Sequence, residues 1–177
     1  MCHNPLNDPR FFTLLLQIDR DLAATTQAQG CRCGGVLHRA NFPRKPRGCP
    51  REARPQCATR FSFCCADCRR RRTAPSVRFM GRRVYLMLAM VLASSRLPTR
   101  GRCDLLPCVS RHTLMRWRRW WQEQFCSSAL WRAGQARFMP PVPREAQPTS
   151  LLQRFCGGPI RQVLRLLLFL CPLSQPA

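Results

Sequence analysis

The hydrophobic positions of the chain first repeat at helical spacing near its start, in "DPRFFTLLLQIDRDLAATT". Apolar side chains lie on about one face of the helix that this spacing predicts: Phe12, Leu15, Leu16 and Ile18. Asp8 can cap the helix, and Pro9 suits its first turn, where a backbone N–H needs no partner within the helix. We therefore predict a helix from residue 8 to about residue 25.

The pattern changes after residue 29. Residues 30 to about 72 are irregular and rich in Cys, Gly and Pro, with one short predicted strand in "RFSFCC", residues 60–65. Helical patterns return at residues 84–95, at residues 99–125 as two helices joined by a turn, and at residues 159–170. "MPPVPREAQPTS", residues 139–150, is typical of a proline-rich linker, and Ser150 is expected to cap a short helix after it.

The net positive charge of the chain is large, and half of its basic residues lie in one segment. The chain has 177 residues, with 30 basic residues against 8 acidic ones and a net charge of +22. All the basic residues except Lys45 are arginine. Residues 31–83 alone carry 15 of them, against Glu52 and Asp67. A local arginine excess favours a polyanionic partner, because guanidinium groups contact phosphates and guanine edges in a bidentate manner.

The 13 cysteines favour metal binding over a disulfide scaffold. We find no secretory signal. The apolar runs, such as "VYLMLAMVLA", are shorter than the about 20 residues that a membrane span needs. We therefore expect a soluble cytoplasmic protein with reduced thiols, associated with the nucleoid if it binds DNA.

Two groups of cysteines frame the basic region. "CRCGG" supplies Cys31 and Cys33, and "CCADC" supplies Cys65 and Cys68 as a CxxC pair. Two short pairs on two turns are the arrangement of a structural zinc ribbon, in which four ligands surround the ion as a tetrahedron. Glycine after the second cysteine allows the tight turn that such a pair requires.

The ligand set has alternatives. His38 could take the place of Cys31, since a CxC pair is tight for one ion, and Cys64 could take the place of Cys65. Cys49 and Cys57 lie in the intervening basic loop and are weaker candidates. Free, partly buried thiols are the other interpretation of the same residues.

A second motif, "LLPCVSRHTLMRWRRWW", predicts a DNA-recognition helix. Ser110 can cap it, and an apolar face follows at Leu114, Trp117 and Trp121. The second helix of a helix-turn-helix packs by such a face and presents its N-terminal side chains to base edges in the major groove. The side chains predicted to contact bases are Arg111, His112 and Arg116. An ordinary amphipathic helix with a solvated arginine face is the alternative.

Other basic side chains are predicted to contact phosphates, which position a protein on DNA without reading sequence. The predicted phosphate contacts are Arg44, Lys45, Arg47, Arg69, Arg70, Arg71, Arg118 and Arg119.

The acidic residues give no catalytic set. A nuclease or transposase of the common type needs three carboxylates to hold two divalent metals. The eight acids of this chain are scattered, and no run of strands predicts their convergence. We therefore expect a protein that is not an enzyme and has no small-molecule substrate.

Three stretches also resemble a group of short proteobacterial proteins. "CGGVLHRANFPRKPRG", "RFSFCCADCRRRRTAPSVRFMGRRVYL" and "VSRHTLMRWRRWW" are similar to a transposase-type zinc ribbon followed by a helix-turn-helix, over roughly residues 11–173. The resemblance implies a DNA-binding protein associated with a mobile element. It implies zinc binding at Cys33, Cys65 and Cys68, and base contact at Arg111, His112 and Arg116.

The predicted fold is mainly α, with a small irregular β zinc-ribbon-like module and a helix-turn-helix in the second half. We divide the chain into an N-terminal helix (1–29), a zinc-ribbon-like basic module (30–78), a helix-turn-helix module (79–137), a proline-rich linker (138–149) and C-terminal helices (150–177). The last helix could also form a homodimer surface.

The predicted function is non-catalytic binding of double-stranded DNA, with structural zinc. Two other readings use the same residues. One is a basic interaction protein that binds RNA or acidic partners. The other is a decayed transposase fragment without activity.

Overall fold

A computed structural model describes residues 5–81, 84–95 and 109–175. The protein is mainly helical with small antiparallel sheets, as the sequence predicts. Its internal contacts define two compact units. Unit 1 comprises the residues up to 87 together with those from 170 onward, and unit 2 comprises residues 88–169. The division into five segments predicted from the sequence stays a prediction.

Unit 1 begins with a 3₁₀ turn, Pro5–Asn7, and the helix α1, Pro9–Ala28. The side chain of Asp8 accepts hydrogen bonds from the N–H groups of Arg10 (2.9 Å) and Phe11 (3.4 Å), which confirms the predicted cap. Phe11, Phe12 and Leu15 are buried on the inner face of the helix. The predicted helix is confirmed and extends three residues further.

Five short strands follow. They are β1 (Leu37–Arg39), β2 (Phe42–Pro43), β3 (Thr59–Arg60), β4 (Ser62–Cys65) and β5 (Arg71–Thr73). One antiparallel sheet has the order β1-β4-β5, and the other pairs β2 with β3. Two 3₁₀ turns, Arg51–Ala53 and Pro55–Cys57, lie between β2 and β3. The strand predicted at residues 60–65 is thus divided at Phe61 between two sheets.

The central strand β4 holds the small core of unit 1. Phe63 and Cys65 are buried there with Leu37, Ala23 and Ala74. In register, Leu37 of β1 pairs with Cys65, so α1, β1 and β4 contribute to one cluster. The pairing places the chain that follows α1 beside the chain that follows β4.

A buried ion pair stabilises the other part of unit 1. Nε of Arg78 donates to Oδ2 of Asp19 at 2.6 Å, and both side chains are 1% exposed. The same carboxylate accepts from the hydroxyl of Ser76 (2.5 Å) and the N–H of Val77 (2.7 Å). The Arg78 guanidinium also donates to the carbonyls of Gln56 and Thr59. This pair fixes α1 against the segment after β5, because a buried charge needs its partner and its hydrogen bonds.

Arg60 is a second buried arginine in unit 1. It is 2% exposed, and its Nη2 donates to the carbonyl of Ser174 at 3.1 Å. Burial lowers its pKa to about 10, an effect that the charge of Asp19 opposes. Arginine in this protein is therefore a core residue as well as a surface residue.

The remaining elements are mostly helical. They are α2 (Met87–Ser94), α3 (Arg111–Arg119), a π-helix (Trp120–Phe125), α4 (Ala129–Gly134), a 3₁₀ turn (Gln135–Arg137), α5 (Thr149–Leu152), α6 (Pro159–Leu170) and a last 3₁₀ turn (Cys171–Ser174). The helix predicted at residues 159–170 has these bounds. The helix predicted at residues 84–95 is shorter.

Aromatic rings form the core of unit 2. Phe125 contacts Trp121 and Trp131, with ring centroids 5.0 and 5.2 Å apart. Phe138 lies 5.9 Å from Trp131 and 5.7 Å from Phe169. The segment predicted as a linker also packs here, since Val142 and Gln147 are buried.

One predicted cap is wrong. Helix α5 begins at Thr149 after Pro148, which provides no side-chain cap, and Ser150 lies inside the helix. The Ser150 hydroxyl instead donates to the carbonyl of Pro143 at 3.0 Å, because it is buried against the preceding segment.

In α6, Leu167 and Leu170 are fully buried and Leu168 is 43% exposed, so the predicted dimer surface has few apolar side chains left to present. The homodimer stays a prediction. Within the described residues, every helix falls short of the length and apolar character that a membrane crossing requires.

Candidate metal centre

Two turns at one end of the three-stranded sheet carry the candidate ligands. In the first turn, the N–H of Gly34 donates to the carbonyl of Cys31 (3.0 Å), and the N–H of Cys31 donates to the carbonyl of Gly35 (3.2 Å). Gly34 has φ 88°, a conformation that side-chain-bearing residues rarely adopt. In the second turn, the N–H of Cys65 donates to the carbonyl of Arg70 (3.1 Å). The pairing of β1 with β4 holds the two turns side by side.

Four cysteine sulfurs lie close together between these turns, and we call them the four-sulfur group. The Sγ atoms of Cys31, Cys33, Cys65 and Cys68 all lie within 4.8 Å of one another. The sulfurs of Cys31 and Cys68 are 3.6 Å apart, and those of Cys33 and Cys65 are 3.4 Å apart. Sulfurs around a tetrahedral zinc ion at about 2.3 Å are separated by about 3.8 Å. The four cysteines therefore lie close enough together to hold a metal ion.

The space beside the Cys65 sulfur accommodates only a glycine at position 35. A Cβ atom at this position would lie 2.5 Å from Oδ2 of Asp67 and 2.7 Å from Sγ of Cys65. Both distances are shorter than van der Waals contact, so any side chain at position 35 would displace a candidate ligand. The second glycine of "CRCGG" thus leaves space for sulfur, which complements the turn conformation that Gly34 supplies.

The neighbouring thiols perturb the pKa of Cys68. The pKa of Cys68 is raised to about 12, although the N–H of Arg70, the largest single influence, acts to lower it. Hydrogen bonds with the sulfurs of Cys33, Cys31 and Cys65, together with desolvation, outweigh that effect. In the metal-free chain this thiol therefore holds its proton at neutral pH, and a metal ion would have to displace it.

The other candidate ligands lie outside the four-sulfur group. His38 is exposed on β1, where it pairs in register with Cys64. The Cys64 thiol donates to the carbonyl of Arg69 at 3.5 Å. Cys49 and Cys57 hydrogen-bond each other, a contact that lowers the pKa of Cys49 and raises that of Cys57.

Three exposed arginines are direct sequence neighbours of the candidate ligands. Arg32 lies between Cys31 and Cys33, and Arg69 and Arg70 directly follow Cys68. We call these three residues the arginine rim. Metal candidates and polyanion candidates thus share one pair of turns.

The residues predicted to contact phosphate fall into different environments. Lys45, Arg47, Arg69 and Arg70 are exposed. Arg71 is exposed as well, but its Nη1 donates to the carbonyl of Ala40 and the hydroxyl of Ser62, both at 3.1 Å.

Three further members of that predicted set are held by neighbouring groups or partly covered. The Arg44 guanidinium lies 5.4 Å from the ring centre of Phe79, and burial lowers its pKa. Arg119 donates from Nε to both carboxylate oxygens of Glu123, at 3.0 and 2.9 Å. Arg118 is partly buried.

The predicted recognition helix corresponds to α3 and the π-helix that continues it. The Ser110 hydroxyl accepts from the N–H of Thr113 (3.3 Å), which confirms the predicted cap. Trp117 and Trp121 are buried, whereas Arg111, His112 and Arg116 are exposed on the first turns. The first helix of the predicted helix-turn-helix, at residues 99–106, lies outside the described residues. The helix-turn-helix therefore stays a prediction.

Sequence reasoning missed three features of unit 1. They are the ion pair of Asp19 with Arg78, the approach of the Asp67 side chain to Gly35, and the left-handed backbone of Arg69, with φ 57°. The apolar periodicity of α1 contained a signal for the first, since Asp19 follows Ile18 on the side of the helix that Leu15 and Ala23 share. The other two depend on how the turns meet in space.

Comparison of the chain with known protein families, with curated proteins and with solved structures finds no match.

Proposed function

We propose that the chain is a non-catalytic DNA-binding protein in which Cys31, Cys33, Cys65 and Cys68 hold a structural zinc ion. The four-sulfur group is the observation that carries the proposal. A site closed by four thiolates leaves no coordination position for water or substrate, which is typical of structural zinc.

The zinc ion would join two turns that weak secondary structure supports. β1 and β5 have three residues each, and β4 has four. Sheets this small are marginally stable by themselves. An ion bound to both turns would stabilise the folded form, because the unfolded chain has no preformed site.

The arginine rim supports DNA as the partner. Its three arginines are direct sequence neighbours of the candidate ligands, so the metal would order the turns that carry them. Arginine binds phosphate oxygens by paired, charge-assisted hydrogen bonds. The exposed Arg111, His112 and Arg116 of α3 supply candidate base contacts, for which arginine to guanine is the commonest specific pairing.

The placement of Asp19 supports a non-catalytic role. Its carboxylate accepts hydrogen bonds from Ser76, Val77 and Arg78 in the core, so it is committed to the fold. The association with a mobile element depends on the motif resemblance alone, and the DNA-binding proposal does not require it. Nucleoid association would follow from DNA binding.

The test is metal analysis and duplex-DNA binding of one preparation, with Cys65→Ser and Cys156→Ser as a pair. Cys156 is an exposed free cysteine outside the four-sulfur group, which makes it a matched control. Wild type and Cys156→Ser should hold about one zinc ion per chain and bind duplex DNA. Cys65→Ser should lose both properties.

Binding should also weaken steeply with salt, because phosphate contacts release counterions. The proposal is wrong if the wild type holds no zinc and shifts no duplex at low salt. Preference for single-stranded RNA that survives Arg111→Ala with Arg116→Ala would instead favour the basic interaction protein.

A further inference from the structure

Arg69 has a backbone conformation that arginine rarely adopts. Its φ is 57°, and among the described residues it is the one non-glycine residue with a positive φ. In this region the Cβ atom approaches the neighbouring backbone closely, whereas glycine, without a Cβ atom, adopts it freely. The position directly follows Cys68, so the strain lies within the second metal-binding turn.

Strand pairing and hydrogen bonds fix the backbone at Arg69 and directly after it. Cys64 pairs in register with Arg71 across β4 and β5, and the N–H of Cys65 donates to the carbonyl of Arg70 (3.1 Å). The Cys64 thiol donates to the carbonyl of Arg69 itself (3.5 Å). The turn therefore imposes the left-handed conformation whichever residue occupies position 69.

The four consecutive arginines of this segment differ in their contacts. Arg71 and Arg72 brace the fold, since Arg71 donates to the carbonyl of Ala40 and Arg72 donates to that of Gly30. Arg69 is exposed, and within the described part of the chain its guanidinium makes no hydrogen bond or ion pair. Its side chain thus contributes nothing that would offset the backbone strain in the folded chain.

We propose that Arg69 is a phosphate-contact residue for duplex DNA, placed on the metal-binding turn at a cost in stability. This inference rests on the proposed function. Strained positions persist where function requires them, and a guanidinium group on a fixed turn loses little freedom when it binds a phosphate. Glycine at this position would make the folded chain more stable, whereas arginine would bind DNA more tightly.

The experiment compares Arg69→Gly, Arg69→Lys and Arg20→Ala in the zinc-loaded full chain. Arg20 is exposed on α1, so Arg20→Ala removes the same charge away from the turn. We measure zinc content, the thermal midpoint, and Kd for several unrelated duplexes across a range of salt concentrations.

Arg69→Gly should keep its zinc and raise the thermal midpoint by about 3 °C, because the strain is released. It should weaken binding to every duplex by on the order of tenfold at low salt and reduce the salt slope by about 0.9, the contribution of one phosphate contact. Arg69→Lys should keep most of the slope, and Arg20→Ala should bind like the wild type.

The contradicting outcomes are distinct. If the wild type binds and Arg69→Gly binds equally well, this inference is wrong and the proposed function stands. If Arg69→Gly loses zinc or is not stabilised, then Arg69 has a structural role or carries no backbone strain, and this inference is wrong. If the wild type binds no duplex at low salt, both proposals fail together.

Discussion

At the scale of single residues, Gly35 gives the sharpest test of the metal centre. Gly35→Ala would place a Cβ atom 2.7 Å from Sγ of Cys65 and 2.5 Å from Oδ2 of Asp67. We expect zinc affinity to fall by at least about tenfold, because a ligand must move from its place. A competition titration with a chromophoric chelator measures this.

Gly158→Ala is the matched control, since no heavy atom lies within 4 Å of the added Cβ. It should leave zinc affinity unchanged. Equal affinity of Gly35→Ala and wild type would show that the sulfur of Cys65 is not a ligand.

The buried ion pair makes a second prediction at the residue scale. Asp19→Asn keeps the shape of the side chain but leaves the charge of Arg78 without a partner in the core. We expect the free energy of unfolding to fall by about 3–5 kcal/mol, measured by urea denaturation.

Asp21→Asn serves as its control. Asp21 is exposed on the same helix and accepts a hydrogen bond from Gln17 (3.0 Å). Its replacement should change the free energy of unfolding by less than about 0.5 kcal/mol. Similar losses in the two variants would mean that the ion pair does not stabilise α1.

At the scale of elements, the sequence predicted those parts whose signals are local. Asp8 and Ser110 are caps recognised from their neighbours, and the bounds of α6 follow from its apolar periodicity. The short strands β1, β2 and β5 could not be predicted, because two or three residues carry no periodicity and their pairing joins distant parts of the chain.

For the candidate ligands too, spacing along the sequence could be predicted, whereas pairing between distant strands could not. The spacing of Cys65 and Cys68 is visible in the sequence. The choice between Cys31 and His38 is not, because it depends on the register of β1 with β4, which places His38 opposite Cys64. The left-handed conformation of Arg69 likewise results from the pairing of β4 with β5.

Two arginines of α3 are expected to differ in their contribution to DNA binding. Arg119 is held by both carboxylate oxygens of Glu123, whereas Arg111 is exposed at the first turn. We expect Arg111→Ala to weaken binding to a preferred duplex by about 1–3 kcal/mol, the value of a bidentate base contact. Arg119→Ala should have a smaller effect, because its guanidinium already has a partner.

Fluorescence anisotropy with selected and scrambled duplexes measures both variants. If Arg119→Ala weakened binding more than Arg111→Ala, the base contact proposed for Arg111 would be wrong.

At the scale of the whole molecule, the proposed metal binding would connect folding to pH. The pKa of Cys68 is raised to about 12, so its proton would have to leave if zinc bound there. Zinc affinity should therefore rise with pH, by at least about tenfold per unit between about pH 6 and pH 8. A competition titration with a chromophoric chelator at several pH values measures this dependence. A zinc affinity that does not change with pH would contradict ligation by thiolates.

Zinc K-edge X-ray absorption of the purified full chain would show directly whether four cysteine sulfurs from two turns enclose one zinc ion. We expect a first shell of four sulfurs at about 2.3 Å. A shell that contains an imidazole nitrogen at about 2.0 Å, or a protein without stoichiometric zinc, would contradict it.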